Sequence, residues 1–421
     1  MNYQTPRGTY DILPGETEKW QKTEELIREV CRLYRYREIR TPVFESTAVF
    51  KRENDSSDMV NKEMYTFAMG DDSYTLRPEG TAGVIRSFDQ HKMYGEAELP
   101  ARLYYLGPMF RHERPQKGRQ RQFTQFGIES IGAKSPEIDA EVIALGIDIV
   151  RRMGISSVKV CINTLGDDAS RAAYRNALKE YFTPHIDAFC GDCKRRLEQN
   201  PLRILDCKVD ADNPILKDAP RLSDYLNEES REYFSRVLSA LDGLGIPYEI
   251  DDRLVRGLDY YTHTVFEVKS TRPDSGAQAT VFAGGRYDHL VEYFGGPQLS
   301  GMGFAIGLER LISLAEEEGW SVDASSDAEV YVMGAGEVGS APLTLATKLR
   351  DAGFVTDVNL LPRKMKAQFK SADRSGADVI VIVGEEELRA GNVNVKNKKD
   401  NTQETVAVDD LVNTVKGILE K

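Results

Sequence analysis

The stretch that most restricts how this chain can fold is 103–132, LYYLGPMFRHERPQKGRQRQFTQFGIESIG. Two apolar runs enclose a polar, strongly basic loop. Leu103–Phe110 reads as a buried strand, the loop Arg111–Arg121 gathers Arg111, Arg114, Lys117, Arg119 and Arg121, and a second strand is predicted over Gln122–Ile131. Side chains alternate across a strand, so Thr124, Phe126 and Ile128 point toward a core, while Phe123, Gln125, Gly127, Glu129 and Ile131 share the other face. That second face sets an amide and a carboxylate on either side of a glycine. Glycine weakens a strand but leaves space above it where a ligand can lie. The competing reading, an exposed hairpin with a solvated charged turn, has to be decided by the other segments.

A chain of 421 residues predicts two or three domains. At 41% hydrophobic and 29% charged, its composition is that of an ordinary globular protein. The opening MNYQTPRGTYDILPGE has no apolar signal core. No run approaches the ~20 apolar residues of a membrane span, so no membrane partner and a cytoplasmic location are expected. Five cysteines in this length fit a reducing compartment rather than a disulfide framework. The net charge of −12 excludes a whole-surface polyanion binder and confines any such partner to local patches.

Along the chain, 17–35 is predicted helical, with Trp20, Ile27, Val30, Cys31 and Tyr34 on one face, and Pro42 keeps the following segment extended. A second amphipathic helix covers 137–153, and Val158, Val160 and Ile162 alternate as a half-buried strand. Residues 166–246 become helical and polar around an irregular, cysteine-bearing centre, which reads as an insertion within a first domain. Strands are expected to resume at Leu254–Val268 and Ala279–Ala283, then a Gly284-Gly285 turn, then Met302–Ile306. The polar stretch 319–329 reads as a linker. Beyond it, short strands at Tyr331–Met333 and Val379–Val383 alternate with helical stretches at 338–352 and 363–376, as in a small α/β domain with a largely parallel sheet.

Three further segments carry chemistry. In SGMGFAIGLERL, 300–311, Gly301, Gly303 and Ala305 leave one strand face nearly bare, a shelf for something flat such as a nucleobase. Arg310 falls in the first turn of the next helix, where a guanidinium and a helix N-terminus together suit a phosphate. LVRGLDYYTHTVFEV, 254–268, sets Arg256 beside Gly257, ahead of Tyr260 and Tyr261. RPEGT, 77–81, offers Glu79 and Thr81 in a tight turn, able to converge on an ammonium group. Cys190, Cys193 and Cys207, with His185 nearby, could supply four zinc ligands. Only one C-x-x-C pair is visible, however, and a full site normally has two ligand pairs, so no metal site is assigned.

In this order the segments resemble the bacterial type of histidyl-tRNA synthetase, nearly end to end. PRGTYDILP (6–14) looks like the family's opening, 103–132 like motif 2 of class II synthetases, LVRGLDYY and AGGRYD (283–288) like the two histidine-signature motifs, and GMGFAIGLER like motif 3. The resemblance implies an α+β catalytic domain over 1–325, an antiparallel sheet flanked by helices as in class II synthetases. It also implies a helical insertion at 166–246 that meets the acceptor stem and a C-terminal α/β anticodon-binding domain at 328–421. A homodimer is implied, with motif 1 running from Glu16 through Pro42 at its interface.

The implied reaction activates L-histidine with ATP, assisted by Mg²⁺, and then charges tRNA(His). By the same resemblance Arg111, Arg256 and Arg310 are catalytic. Glu79, Thr81, Arg111, Gln125, Glu129, Arg256, Tyr260 and Tyr261 would bind histidine, and Arg111, Glu113, Arg119, Gly301, Gly303 and Arg310 would bind ATP. Neutral imidazole has one N–H donor and one bare nitrogen, which Glu129 and the Tyr261 hydroxyl could serve. Residues 328–421 hold 13 Lys+Arg against 14 Asp+Glu, so nearly all the net negative charge lies elsewhere. There Arg363, Lys366, Lys370 and Arg374 recur at helical spacing as a basic stripe for tRNA phosphates. The rivals are a catalytically inactive paralogue, such as the regulatory subunit of ATP phosphoribosyltransferase, a non-enzymatic RNA-binding or sensor module on the same fold, and another class II synthetase. Gln120 and Asn54 depart from the family's usual residues and bear on local loop geometry.

Overall fold

The computed structural model describes residues 3–51, 57, 59–96, 98–116, 118–207, 209–255, 260–275, 279–322 and 328–420. Arg256 and Gly257 of the LVRGLDYY segment, with Lys117 and Asn54, lie outside them. The chain divides into two compact units, Met1–Asp323 and Ala324–Lys421. Among the described residues no helix is long and apolar enough to cross a membrane.

The strands of the first unit are β1 (Arg37–Glu38), β2 (Phe44–Ser46), β3 (Thr66–Met69), β4 (Asp72–Leu76), β5 (Ala101–Phe110), β6 (Gln122–Ile131), β7 (Val158–Thr164), β8 (Tyr248–Ile250), β9 (Thr262–Ser270), β10 (Thr280–Tyr287) and β11 (Gly301–Gly307). An eight-stranded sheet has the order β1-β5-β6-β11-β10-β9-β7-β8, and β2-β4-β3 form a separate three-stranded sheet. The large sheet is antiparallel except at its rims, where β1 runs parallel to β5 and β8 to β7. The basic loop is thus the connection of a hairpin at the middle of the sheet, with β5 and β6 paired from Ala101↔Ile131 to Phe110↔Gln122.

Alternation gives this sheet two unlike faces. Phe126 and Ile128 of β6, with Met302, Phe304 and Ile306 of β11, are buried in the main core. An aromatic row crosses it, with ring centroids at 6.2 Å (Tyr104 to Phe126), 5.9 Å (Phe126 to Phe304), 5.1 Å (Phe304 to Phe282) and 5.9 Å (Phe282 to Phe266). Tilted and edge-on contacts at this range are favourable beyond the area they bury. The helices Thr17–Leu33, Pro136–Arg152, Glu228–Gly243 and Leu308–Glu317 add their apolar stripes to the same core. Proline at the first position of Pro136–Arg152, acids in its first turn and arginines in its last suit a helix and its dipole.

Three expectations need correction. The Gly284-Gly285 pair is no turn, because β10 runs through it, pairing Gly284 with Phe304 and Gly285 with Gly303. Side chains are excluded there by neighbouring backbone, since a Cβ on Gly284 would stand 2.1 Å from the Gly303 carbonyl oxygen. The strand expected from Leu254 begins at Thr262 among the described residues. Finally, the sheet of the second unit is mixed. Its strands are β12 (Val330–Ala335), β13 (Thr356–Val358), β14 (Val379–Gly384), β15 (Asn392–Asn397) and β16 (Thr402–Ala407), in the order β13-β12-β14-β15-β16. β12, β13 and β14 are parallel, while β15 and β16 close the sheet as an antiparallel hairpin.

Beneath the sheet, the AGGRYD segment sends two consecutive side chains to opposite faces. Arg286 enters the core side and is fully buried. Its Nε donates to Asp139 Oδ1 at 3.0 Å, its other donors reach Ser300 and the Ala133 carbonyl oxygen, and its guanidinium lies 5.7 Å from the Tyr233 ring. Burial alone would lower the Arg286 pKa, but the Asp139 charge outweighs it and raises it. Removing one partner of such a pair leaves an unpaired buried charge. Asp139→Ala is therefore expected to cost roughly 3–5 kcal/mol of stability, read as a shift in the urea transition of the first unit.

Candidate active site

Opposite the core, paired strands set small residues side by side. Gly285, Gly303 and Glu129 occupy one cross-strand row, and Ala283, Ala305, Gly127 and Tyr105 the next. This leaves a low floor with a few side chains rising from it. Above the floor lies a cleft of about 290 Å³. Its walls bring together Glu79, Thr81, Arg111, Glu113, Arg119, Gln125, Glu129, Tyr260, Tyr261, Gly303 and Arg310, drawn from segments up to 231 positions apart.

At one end the cleft is cationic. Arg111 is held by a 2.8 Å bond from its Nε to the Pro78 carbonyl oxygen and by the Phe123 ring, 5.3 Å from its guanidinium. Arg119 pairs with Glu113 at 3.3 Å. Arg310, in the first turn of the helix Leu308–Glu317, donates to the Thr280 carbonyl oxygen. Burial, and after it the charge of Arg119, lowers the Arg310 pKa, with Glu113 opposing. Two cations that repel one another in a half-buried cleft favour a polyanionic ligand. The loop carrying Arg119 is tied at its base, where Arg111 N–H donates to the Arg121 carbonyl oxygen at 2.9 Å and Arg121 N–H to that of Gly8 at 2.7 Å. Glu309 also lines the cleft; burial raises its carboxyl to about 7, although it accepts from the Thr124 N–H at 2.8 Å.

The other end is polar and closely organised. The Glu79 carboxylate accepts the backbone N–H groups of Thr81 (2.6 Å) and Ala82 (2.9 Å), which fixes it at the start of the helix Thr81–Gln90. Glu129 is 1% exposed and accepts from the Thr81 hydroxyl at 2.7 Å and the Tyr287 hydroxyl at 2.6 Å. The Tyr105 hydroxyl donates to Gln125 Oε1 at 3.2 Å. Tyr260 and Tyr261 also line the cleft, their rings tilted against each other with centroids 4.6 Å apart. A carboxylate has about four acceptor positions. Two are used at Glu129, so it has capacity for another donor.

Two open spaces expected from the sequence are filled. The ring of Tyr105 covers Gly127, where an added Cβ would meet it at 2.3 Å. Gly301 does not line the cleft, because the Tyr287 ring lies against it, whereas Gly303 does, with Glu129 Oε2 directly over it. The shelf therefore accommodates the protein's own phenol and carboxylate along part of its length. Tyr105 and Tyr287 are cleft-side residues that sequence reasoning left without a role. A continuous strand across Gly284-Gly285 would have exposed Tyr287, and the cross-strand pairing of Tyr105 with Gly127 would have exposed the other. The cysteine group also differs: its fourth member is Asp210, not His185, which lies against the Tyr181 ring.

In the second unit, the helix Met365–Arg374 buries Gln368 and Ala372. Lys366, Lys370 and Arg374 are exposed at four-residue spacing, with Arg363 exposed just before them.

Burial raises the Glu129 carboxyl to about 8 from an ordinary 4.5, with the Thr81 and Tyr287 hydrogen bonds acting in the opposite sense. The folded state thus holds the proton more tightly than the unfolded chain, and stability falls as pH rises between these values. Glu129→Gln lacks that ionisation. Its melting temperature relative to the parent is expected to climb by several degrees from pH 5 to pH 8 and level off above. Parallel melting curves across that range would contradict the assignment.

Comparison with known proteins matches residues 8–311 to the histidyl-tRNA synthetase family and residues 329–418 to a family described as an anticodon binding domain. A histidine–tRNA ligase of Lysinibacillus sphaericus is 51% identical over 416 residues, covering 98% of this chain and 99% of its own. One from Bacillus subtilis is 50% identical over 419 residues, covering 99% of each. The crystal structure of apo S. aureus histidyl-tRNA synthetase superposes with a TM-score of 0.83 at 44% identity, covering 99% of this chain and 100% of that one. With such identity along nearly the whole length of both chains, this chain belongs to the histidyl-tRNA synthetase family.

Proposed function

We propose that the chain activates L-histidine with ATP to histidyl-adenylate and pyrophosphate, then transfers the histidyl group to the 3′ end of tRNA(His). One observation carries the reading: a single cleft joins Arg111, Arg119 and Arg310 to Glu79, Thr81, Gln125, Glu129 and Tyr261. The first step brings a carboxylate to a polyphosphate, so positioning and cationic stabilisation supply most of the acceleration. Arg111 would hold the histidine carboxylate or the α-phosphate, Arg310 the γ-phosphate, and Glu113 and Arg119 the nucleotide from the loop. A nucleotide contact at Gly303 rests on the resemblance alone, because the Glu129 carboxylate lies over it. Arg256 is assigned to the α-phosphate region by resemblance alone. Mg²⁺ would bridge the outer phosphates, and the carboxylates of Glu113 and Glu309 lining this cleft are oxygen donors suited to so hard a cation.

At the polar end Glu79, Thr81 and Gln125 would take the α-ammonium, with Tyr260 and Tyr261 closing over the ring. Glu129 would accept the imidazole N–H, and the Tyr261 hydroxyl would serve the other nitrogen. A site built from polar partners rejects a ring lacking them by about 10⁴–10⁵-fold. A homodimer is supported by exposed apolar side chains just beyond the motif 1 region, at Val43 and on the small β2-β4-β3 sheet at Phe44, Phe67 and Met69, which are 40–66% exposed. A cytoplasmic setting is supported by five free thiols.

The regulatory-subunit alternative is less well supported, since curated relatives at about half identity are ligases and the second unit matches an anticodon binding domain. Histidine-dependent ATP–pyrophosphate exchange separates the two. Glu129→Ala is expected to lower kcat/KM for histidine in that assay by about 10–200-fold, the loss of a charge-assisted hydrogen bond, while the protein stays folded. Near-normal exchange would remove Glu129 from the ring contact. Charge reversal of Lys366 and Lys370 together is expected to reduce tRNA charging at least several-fold and to spare pyrophosphate exchange. Equal losses in both assays would place these lysines outside tRNA binding.

A further inference from the structure

The irregular centre of 166–246 contains a group that the ligase reading does not use. Among the described residues between the helices Asp168–Phe182 and Glu228–Gly243 the chain makes one helix, Gly191–Gln199, and four short 3₁₀ turns. Cys190, Cys193, Cys207 and Asp210 converge there, their ligand atoms all within 4.8 Å of one another. The spacing is C-x₂-C-x₁₃-C-x₂-D, two ligand pairs, of which the second is invisible to a search for cysteine and histidine alone.

Distances match tetrahedral coordination. With Zn–S near 2.3 Å and Zn–O of 2.0–2.2 Å, tetrahedral angles require S···S of about 3.8 Å and S···O of about 3.6 Å. Cys190 Sγ and Cys207 Sγ are 3.7 Å apart, and Cys207 Sγ lies 3.4 Å from Asp210 Oδ2. Clustered thiols alone could be plain core packing. The carboxylate makes that explanation insufficient. Its partners are the Cys190 N–H and the surrounding thiols, with no lysine or arginine among the described residues. Cys190 caps the helix Gly191–Gln199 and Cys193 lies in its first turn, so one helix start sets the first ligand pair.

We propose that Cys190, Cys193, Cys207 and Asp210 bind one structural Zn²⁺ that staples the centre of this segment. All four positions are filled by protein, so the ion has no open site for catalysis. Its place in the fold gives it a role. Cys193 and Cys207 belong to the same buried cluster as Leu254 and Tyr261, so the staple stiffens the support beneath one wall of the cleft. In a segment with this little regular structure, a metal substitutes for core area.

Purified full-length protein from zinc-supplemented medium, prepared without chelator, is expected to contain about one zinc per chain. Thiol modification with a mercurial should release it, and Co²⁺ in its place should give a thiolate-to-cobalt charge-transfer band. Cys207→Ser and Asp210→Asn should lose most of the metal and become more protease-sensitive within 183–226, whereas Cys31→Ala, altered at a cysteine elsewhere in the fold, should retain it. Should Cys207→Ser fail to fold, the mercurial release and the cobalt band of the parent protein still decide. Zinc below about 0.1 per chain with no cobalt band, or a Cys190–Cys207 disulfide in the metal-free protein as isolated, would overturn the proposal. None of these readouts depends on ligase activity, so a failure here would leave the proposed function standing.

Discussion

The register of β5, β6, β11 and β10 is the constraint from which the cleft follows. Because the period of a strand is two, a slip of one residue in any of these pairings would exchange the faces. Phe126, Phe304 and Ile306 would then stand in the cleft, and Glu129 would be forced into an apolar core. The aromatic row and the four helices behind it resist that exchange through buried apolar area. Arg286 and Asp139 add a directional restraint, since a buried pair tolerates little displacement before its charges are left uncompensated. The polar site is thus aligned mainly by contacts on the opposite side of the sheet.

Two unlike electrostatic environments share the resulting cleft. At the arginine end, like charges stand close, and burial and repulsion together lower the Arg310 pKa. At the other, burial raises the Glu129 carboxyl despite two hydroxyl donors. Both ends are destabilised in the charge state their chemistry needs, the arrangement expected of groups that find their counter-charges in a ligand. Glu79 is held by two backbone N–H donors at the start of its helix. It is a fixed point around which Thr81 and Glu129 are ordered.

Much of this was legible in the sequence, and the exceptions have definite causes. The hairpin around the basic loop followed from period-two alternation, as did the inward faces of β6 and β11. The motif order pointed to the family. The Gly284-Gly285 pair misled because glycine serves turns and close backbone approaches equally well, and only the neighbouring strand tells which applies. Reading it as a turn hid Tyr287. Open space over Gly127 and Gly301 was inferred from missing side chains, but cross-strand rings fill it, a tertiary fact that no single strand contains. Asp210 escaped notice because one carboxylate among many acids carries no signal until three sulfurs are seen around it. In the second unit, the alternation NVNVKN in β15 was readable, yet its partner β16 is polar and exposed and offers little apolar pattern.

The bond from Arg121 N–H to the Gly8 carbonyl oxygen carries one more implication. Gly8 adopts a φ of 87°, and a Cβ there would stand 2.8 Å from the Arg121 side chain. The ribbon at the head of the chain therefore acts as a splint for a loop that begins more than a hundred residues later. Synthesis order matters as a result: the splint is made long before the hairpin it braces, and it must wait, unpaired, until the sheet's central strands leave the ribosome.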